Sequence, residues 1–291
     1  MIEMDAELAF EAHATLAEGP VWDGRRGILW WVDLLAGRVH AFDPLAGGDT
    51  AFEVGSMVGA VALRRDGTLI LAVTDAFVTL DPETGRLDTI LQLPAESPSR
   101  RANDGKCDPR GRFVVGRMSL EETEGAGELY RLDPDLSLTR LLDGLTIPNG
   151  LAWRADGREL YHIDSPRREV DAYAYDLATG TLGPRRRLIG LGDEAVPDGM
   201  TIDTEGCLWV ALWGGWRVLR VSPGGDVLAT VHLPVSQVSS CTFGGRALDE
   251  LFITTARKGL GRDGDAREPL AGCLFRVRPG ARGLPPIPFA G

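Results

Sequence analysis

The chain predicts an all-β fold, a six-bladed β-propeller of four-stranded antiparallel blades, and three observations carry that expectation. An acid, an amide or a small residue heads each of six successive segments: Glu18-Gly19-Pro20, Gly59-Ala60-Val61, Asn103-Asp104-Gly105, Asn149-Gly150-Leu151, Asp198-Gly199-Met200 and Ser240-Cys241-Thr242. The segments start 41 to 49 residues apart, a period that signals propellers or solenoids. Each opens a short apolar run, a turn and a second apolar run, while no helical periodicity persists beyond a turn or two. Helix is therefore expected to be scarce. Six units of roughly 45 residues use nearly the whole chain, so residues 1–291 read as a single propeller domain.

The units follow one plan. In the first, Pro20-Val21-Trp22-Asp23 passes through Gly24-Arg25-Arg26-Gly27 to the apolar run 28–33, then through Leu35-Ala36-Gly37 to the run 38–44. The second repeats it with 60–63, the turn Asp66-Gly67, 68–73 and 77–80. Asp-Gly or Asp-x-x-Gly turns recur at Asp66, Asp108, Asp156 and Asp203, as tight hairpins require of residues that bond their own backbone or accept positive φ. The last unit offers only two clear strands, 251–255 and 273–277. The alternating segment 7–13 is expected to supply the missing strand, so that an N-terminal strand closes the last blade and latches the ring.

Composition narrows the function classes. The net charge is −11, from 31 basic and 42 acidic side chains, and no basic stripe of the kind a nucleic-acid binder needs is present. The runs Arg185-Arg186-Arg187 and Arg167-Arg168 sit beside Pro or Gly and read as solvated loops. An acidic surface gives no attraction to anionic lipid, and no window approaches 18 apolar residues. Neither nucleic acid nor membrane is expected as a partner. Residues 1–10 carry Glu3, Asp5 and Glu7 without a basic, apolar leader, which argues against a secretory signal. Cys107, Cys207, Cys241 and Cys273 are far apart and read as free buried thiols. A cytoplasmic monomer or weak homo-oligomer is the simplest expectation.

In a closed ring the innermost strand of every blade starts on one face, so the segment heads form a circle at the mouth of the channel. Four of the six carry a carboxylate or amide oxygen: the carboxylates Glu18 and Asp198 and the amides Asn103 and Asn149. Taken singly, Asn-Gly and Asp-Gly are turn formers. Glu18 has no turn role, and the shared register favours ligation, most strongly for Glu18, Asn149 and Asp198 together. Oxygen donors without His or Cys suit Ca²⁺, Mg²⁺ or Mn²⁺ better than structural zinc.

These residues resemble the regucalcin (senescence marker protein)/gluconolactonase family of sugar-lactone hydrolases along essentially the whole chain. The resemblance is carried by Glu18-Gly19-Pro20-Val21-Trp22, Arg101-Ala102-Asn103-Asp104-Gly105-Lys106, Ile147-Pro148-Asn149-Gly150-Leu151 and Val196-Pro197-Asp198-Gly199-Met200. Leu208-Trp209-Val210-Ala211, Cys241-Thr242-Phe243-Gly244-Gly245 and Thr254-Thr255-Ala256-Arg257 add to it. It implies one divalent cation, Ca²⁺ first, with Mg²⁺, Mn²⁺, Zn²⁺ or Fe²⁺ as alternatives, held by Glu18, Asn149 and Asp198. It further implies that Arg101 and Asn103 bind substrate with a Glu from the loop 118–122, where Glu121 is preferred over Glu122. The loop 123–127 that follows is short for the family, which implies a more open mouth. Trp213-Gly214-Gly215-Trp216 is similar to a bacterial aldonolactonase pattern, in which an indole stacks on a sugar or packs in the core.

The implied activity is hydrolysis of a sugar (aldono) lactone, such as glucono-, xylono- or arabinonolactone, to the aldonic acid. The metal polarises the carbonyl and Asp198 assists attack by water. No Gly-x-Ser-x-Gly elbow competes with this chemistry. Two alternatives remain: a metal-dependent phosphotriesterase or arylesterase, which needs a more apolar mouth, and a non-catalytic calcium-binding propeller.

Overall fold

The computed structural model describes residues 1–93 and 100–291. Six sheets, each built on an antiparallel meander, follow one another along the chain, and the strand that opens each meander is innermost. The inner strands are Ala17–Asp23, Val58–Leu63, Arg100–Cys107, Pro148–Trp153, Val196–Ile202 and Val238–Gly244. Each packs against the next and the last against the first, which closes the ring of blades 1 to 6.

Burial explains why strict alternation is weak in the sequence. An inner or second strand has a neighbouring blade on both faces, so Val58–Leu63 and Leu69–Val73 are buried at every position. Strands buried on both sides read as continuous apolar runs. The outermost strands, such as Thr181–Gly190, face water and are mostly exposed.

All six inner strands break register with their partners near their first residues: at Glu18/Val21, Val58/Ala60, Ala102/Gly105, Asn149/Leu151, Pro197/Met200 and Val238/Ser240. Bulges re-aim side chains and sharpen twist. The pairs Asn149-Gly150 and Asp198-Gly199 therefore lie inside strands, and their glycines serve close approach. A Cβ on Gly150 would lie 2.7 Å from the carbonyl oxygen of Asp198, and one on Gly199 would run into Ser240.

The expected closure is present. Glu7–Phe10 pairs antiparallel with Leu274–Val277 as the fourth strand of blade 6, and Arg276 meets Glu7 at 2.8 Å. The segment from Glu11 onward leaves the strand. Ile2–Asp5 adds a feature the sequence did not suggest: it joins blade 5 as a fifth strand, parallel to Val227–His232. The N-terminus thus fastens two blades. Among the described residues, helix is limited to Gly261–Arg267, on the long loop of blade 6, and a 3₁₀ turn at Ser165–Arg167.

The C-terminal segment crosses the opposite face. Gly283 N–H donates to Leu248 C=O (2.8 Å), Phe289 N–H to Leu63 C=O (2.7 Å) and Ala290 N–H to Gly111 C=O (2.9 Å), tying together blades 6, 2 and 3. Phe289 is fully buried. All four cysteines are free and buried. Among the described residues no helix is long and apolar enough to cross a membrane.

Candidate active site

The chain is clamped just before two of the predicted site residues. Asp33, closing the second strand of blade 1, accepts from Thr15 N–H (2.9 Å) and Leu16 N–H (3.1 Å), fixing the approach to Glu18. Asp164, at the same place in blade 4, accepts from Thr146 N–H (3.0 Å) and Ile147 N–H (2.9 Å), just before Asn149. These positioning acids were not singled out in the sequence. Their signal was an Asp ending both Trp30-Trp31-Val32-Asp33 and Tyr161-His162-Ile163-Asp164.

Glu18, Asn149 and Asp198 are each buried to 7% exposure or less. The Asn149 amide nitrogen donates to Ser165 Oγ (3.1 Å), and Ser165 Oγ donates in turn to the Pro197 carbonyl (2.8 Å), beside Asp198. That arrangement commits the nitrogen and leaves Asn149 Oδ1 buried with no protein donor. A buried oxygen without a donor costs free energy unless something unseen completes it.

The electrostatics are equally incomplete. Burial, and then the charges of Asp198 and Asp104, hold the Glu18 carboxyl well above the ordinary carboxylate range. Burial and the charge of Asp104 do the same to Asp198, against the opposing pull of Asn149, Arg101 and Lys258. Acids in close company out of water cannot all ionise without a counter-charge. The third acid, Asp104, is also buried, is raised by burial, and accepts from its neighbour Gly105 N–H at 2.7 Å. It was missed because the repeat was read as one polar residue per blade, whereas the bulge there turns consecutive residues toward the channel.

Arg101 is buried and donates to Asn103 Oδ1 (2.6 Å) and to the Ala102 carbonyl (3.0 Å); burial lowers its proton affinity, and Glu18, Glu122 and Asp198 restore part of it. Asn103 donates to the Pro148 carbonyl at 3.0 Å. Its oxygen is therefore engaged by Arg101, unlike that of Asn149. Lys106 Nζ donates to the Met200 carbonyl (2.8 Å), crossing from blade 3 to blade 5.

At the rim, Glu121 is exposed, with its N–H on Ser119 Oγ at 3.2 Å. The side-chain contacts fall to its neighbour: Glu122 pairs with Lys258 at 3.2 Å. Trp213 is half-buried against an apolar cluster, and Trp216 stands 43% exposed on left-handed backbone. Deeper in the channel lies a cavity of about 310 Å³, lined by Asp104, Lys106, Thr201 and Ser240 and by Pro285 and Ile287 of the C-terminal segment.

The donor set fits a hard divalent cation. Two carboxylates and an amide oxygen converge where charge is uncompensated and one oxygen lacks a partner. Among the described residues no three His, Cys, Asp or Glu side chains group to hold a metal; the third donor here is an amide.

Fold and site define a closed β-propeller with a buried acidic cluster at one end of its channel. Residues 16–257 match the SMP-30/gluconolactonase/LRE-like region family. Regucalcin of Gallus gallus is 41% identical over 284 residues, 95% of each chain. A protein of Bacillus subtilis (strain 168) named as the sugar lactone lactonase YvrE is 37% identical over 290 residues, 99% of each. The crystal structure of a calcium-binding protein, regucalcin, from Agrobacterium tumefaciens superposes with a TM-score of 0.95 at 27% identity, covering 100% of this chain and 99% of that one. The chain belongs to the SMP-30/gluconolactonase family, and it is a lactonase.

Proposed function

We propose that the protein hydrolyses a sugar (aldono) lactone to the aldonic acid with the help of one divalent cation, Ca²⁺ first, held by Glu18, Asn149 and Asp198. The reading treats residues 1–291 as one domain, because the first and last segments of the chain fasten the ring. The observation that carries it is the pairing of two buried, mutually repelling carboxylates with the donorless Asn149 oxygen. A cation there supplies a Lewis acid for the lactone carbonyl.

The chain's own residues do the rest. Asp198, on the bulge of blade 5, takes the proton of the attacking water. Arg101 and Asn103, already bonded to each other, present a fixed polar edge to the sugar hydroxyls, and Glu121 extends it at the rim. A pre-set edge holds the ring in one orientation, so the carbonyl meets the water without a search. A polar lining of this kind suits a hydroxylated substrate better than an aryl ester.

The test is hydrolysis of a panel of five- and six-membered sugar lactones by metal-stripped protein, with each divalent ion restored in turn. Turnover should vanish on stripping and return with an ion, and the same ion should raise the melting temperature. Full turnover without metal would remove the cation from the mechanism. No turnover with any ion on any lactone would remove the substrate class.

A further inference from the structure

One contact spans the mouth of the channel. Glu122 lies on the loop between Phe113–Ser119 and Gly127–Leu132 of blade 3, and Lys258 on the loop between Glu250–Thr255 and Leu274–Val277 of blade 6. In an antiparallel meander these second-to-third-strand loops lie on the face where the inner strands begin, the face that holds Glu18, Asn149 and Asp198. In a closed ring of six, blades 3 and 6 are diametrically opposed. Lys258 Nζ nevertheless donates to Glu122 Oε1 at 3.2 Å. A bond between opposite blades on that face has to cross the mouth.

Both ends are held in place. Glu122 sits at φ 54, a left-handed conformation that a residue with a Cβ seldom adopts, and its N–H donates to the Ser119 carbonyl (3.1 Å). Non-glycine residues kept in such a conformation cluster at ligand clamps and switch regions. The Lys258 carbonyl accepts from Gln237 Nε2 at 2.8 Å. The two side chains are 44% and 47% exposed, so water screens the bond and it opens readily.

We propose that Glu122 and Lys258 form a clasp across the mouth that limits the bulk of the lactone admitted, making them specificity-determining residues. The proposal rests on the lactonase reading above. A small ring passes beside the bond or during its brief openings. A substrate with a second sugar unit must keep the clasp open while bound, and it loses affinity by the strength of the bond. Neither residue takes part in the proton transfer.

The experiment compares the intact, metal-loaded protein with Glu122→Gln, Lys258→Gln and the double variant. Each is assayed on a monosaccharide lactone and on a disaccharide-derived lactone bearing the same reactive ring, at low and high NaCl. Each single variant should raise kcat/KM for the bulky lactone roughly five-fold and leave the small one within about two-fold, as loss of one exposed ion pair allows. The double variant should gain no more than a single one, because one bond is lost in all three. Wild type should gain on the bulky lactone as salt rises, and the variants should not. Limited trypsin digestion gives a readout independent of substrate: cleavage after Arg257 and Lys258 should quicken in Glu122→Gln. Equal selectivity in all four proteins with normal turnover of the small lactone overturns the clasp. Absence of turnover on every lactone overturns the lactonase reading instead, and the digestion then decides the clasp alone, equal cleavage refuting it.

Discussion

At the end of the channel where the inner strands begin, Glu18, Asp104 and Asp198 are buried in one another's company with their proton affinity raised, and Asn149 Oδ1 has no protein donor. At the end where those strands finish, buried acids are fully engaged. Asp203 accepts from Glu205 and Cys207 N–H (both 2.9 Å), Trp209 Nε1 (3.1 Å) and Arg220 Nε (2.9 Å). Asp108 accepts from Arg110 and Arg112 N–H (both 2.9 Å), from the Arg112 guanidinium and from Tyr175 O–H (2.6 Å). The residue type is the same and the depth similar, yet one set is complete and the other is not. Complete networks hold blades together, and incomplete ones mark where a ligand finishes the job. The loops differ as well: the excursion 256–273 of blade 6 overlooks the first end, whereas the C-terminal segment crosses the second.

The sharpest way to break this comparison is to neutralise one acid at each end. Asp198→Asn should cut kcat/KM by about 10³ or more, as loss of a positioned proton acceptor does, while the metal-free protein melts no lower than wild type. Asp203→Asn should do the reverse. It leaves the Arg220 charge short of its partner and should cost about 3 kcal/mol in denaturant unfolding, with kcat of the folded fraction retained. Near-normal kcat in Asp198→Asn would take that residue out of the base role.

The sealing segment is tested next. Phe289→Ala removes a fully buried ring and should cost about 3–4 kcal/mol in urea unfolding, without changing KM for a lactone. A changed KM with unchanged stability would show that the sealed end communicates with the mouth. Deleting residues 1–10 removes strands from blades 5 and 6 and should lower the melting temperature by several degrees, on the order of 2–4 °C per kcal/mol lost. An unchanged melting transition would refute the latch.

A further effect, read only as pH falls, lies away from both ends. His162 is fully buried in blade 4, neither ring nitrogen has a protein partner, and burial, then the charge of Arg167, pushes its pKa down to about 3. Its folded pKa is depressed, so its contribution to stability is present above pH 6.5, the ordinary value. As pH falls below that, the unfolded chain takes up a proton the folded one refuses. Stability should drop by at most about 1.4 kcal/mol per pH unit until about pH 3. His162→Leu should flatten that part of a chemical-denaturation profile; an unchanged slope would show that His162 is not its source.

Much of the fold was legible because a repeat makes each unit confirm the others. The hairpin turns, the inner strands and the completion of blade 6 by the N-terminal strand all follow from local pattern. The parallel pairing of Ile2–Asp5 with blade 5 did not, since the pairing partner lies more than 220 residues away and four residues carry no register signal. The helix Gly261–Arg267 was equally silent, being short and glycine-interrupted. At the site, Glu18, Asn149 and Asp198 stood out by shared register. Asp104 was hidden by the bulge, and Asp33 and Asp164 by lying one strand away from what they position. The family resemblance favours Glu121 at the rim, and the ion pair there is made by its neighbour Glu122, which sits on left-handed backbone.

By itself the sequence determined the blade count, the order of the strands and which acids and amides share a level, because spacing and hydrophobic runs are properties of the chain alone. Tertiary structure decided which of those polar groups are left without partners, which loops meet across the mouth and how the two ends of the channel differ. Hydrogen-bond satisfaction and charge balance depend on neighbours brought from distant blades, and only the closed ring supplies them.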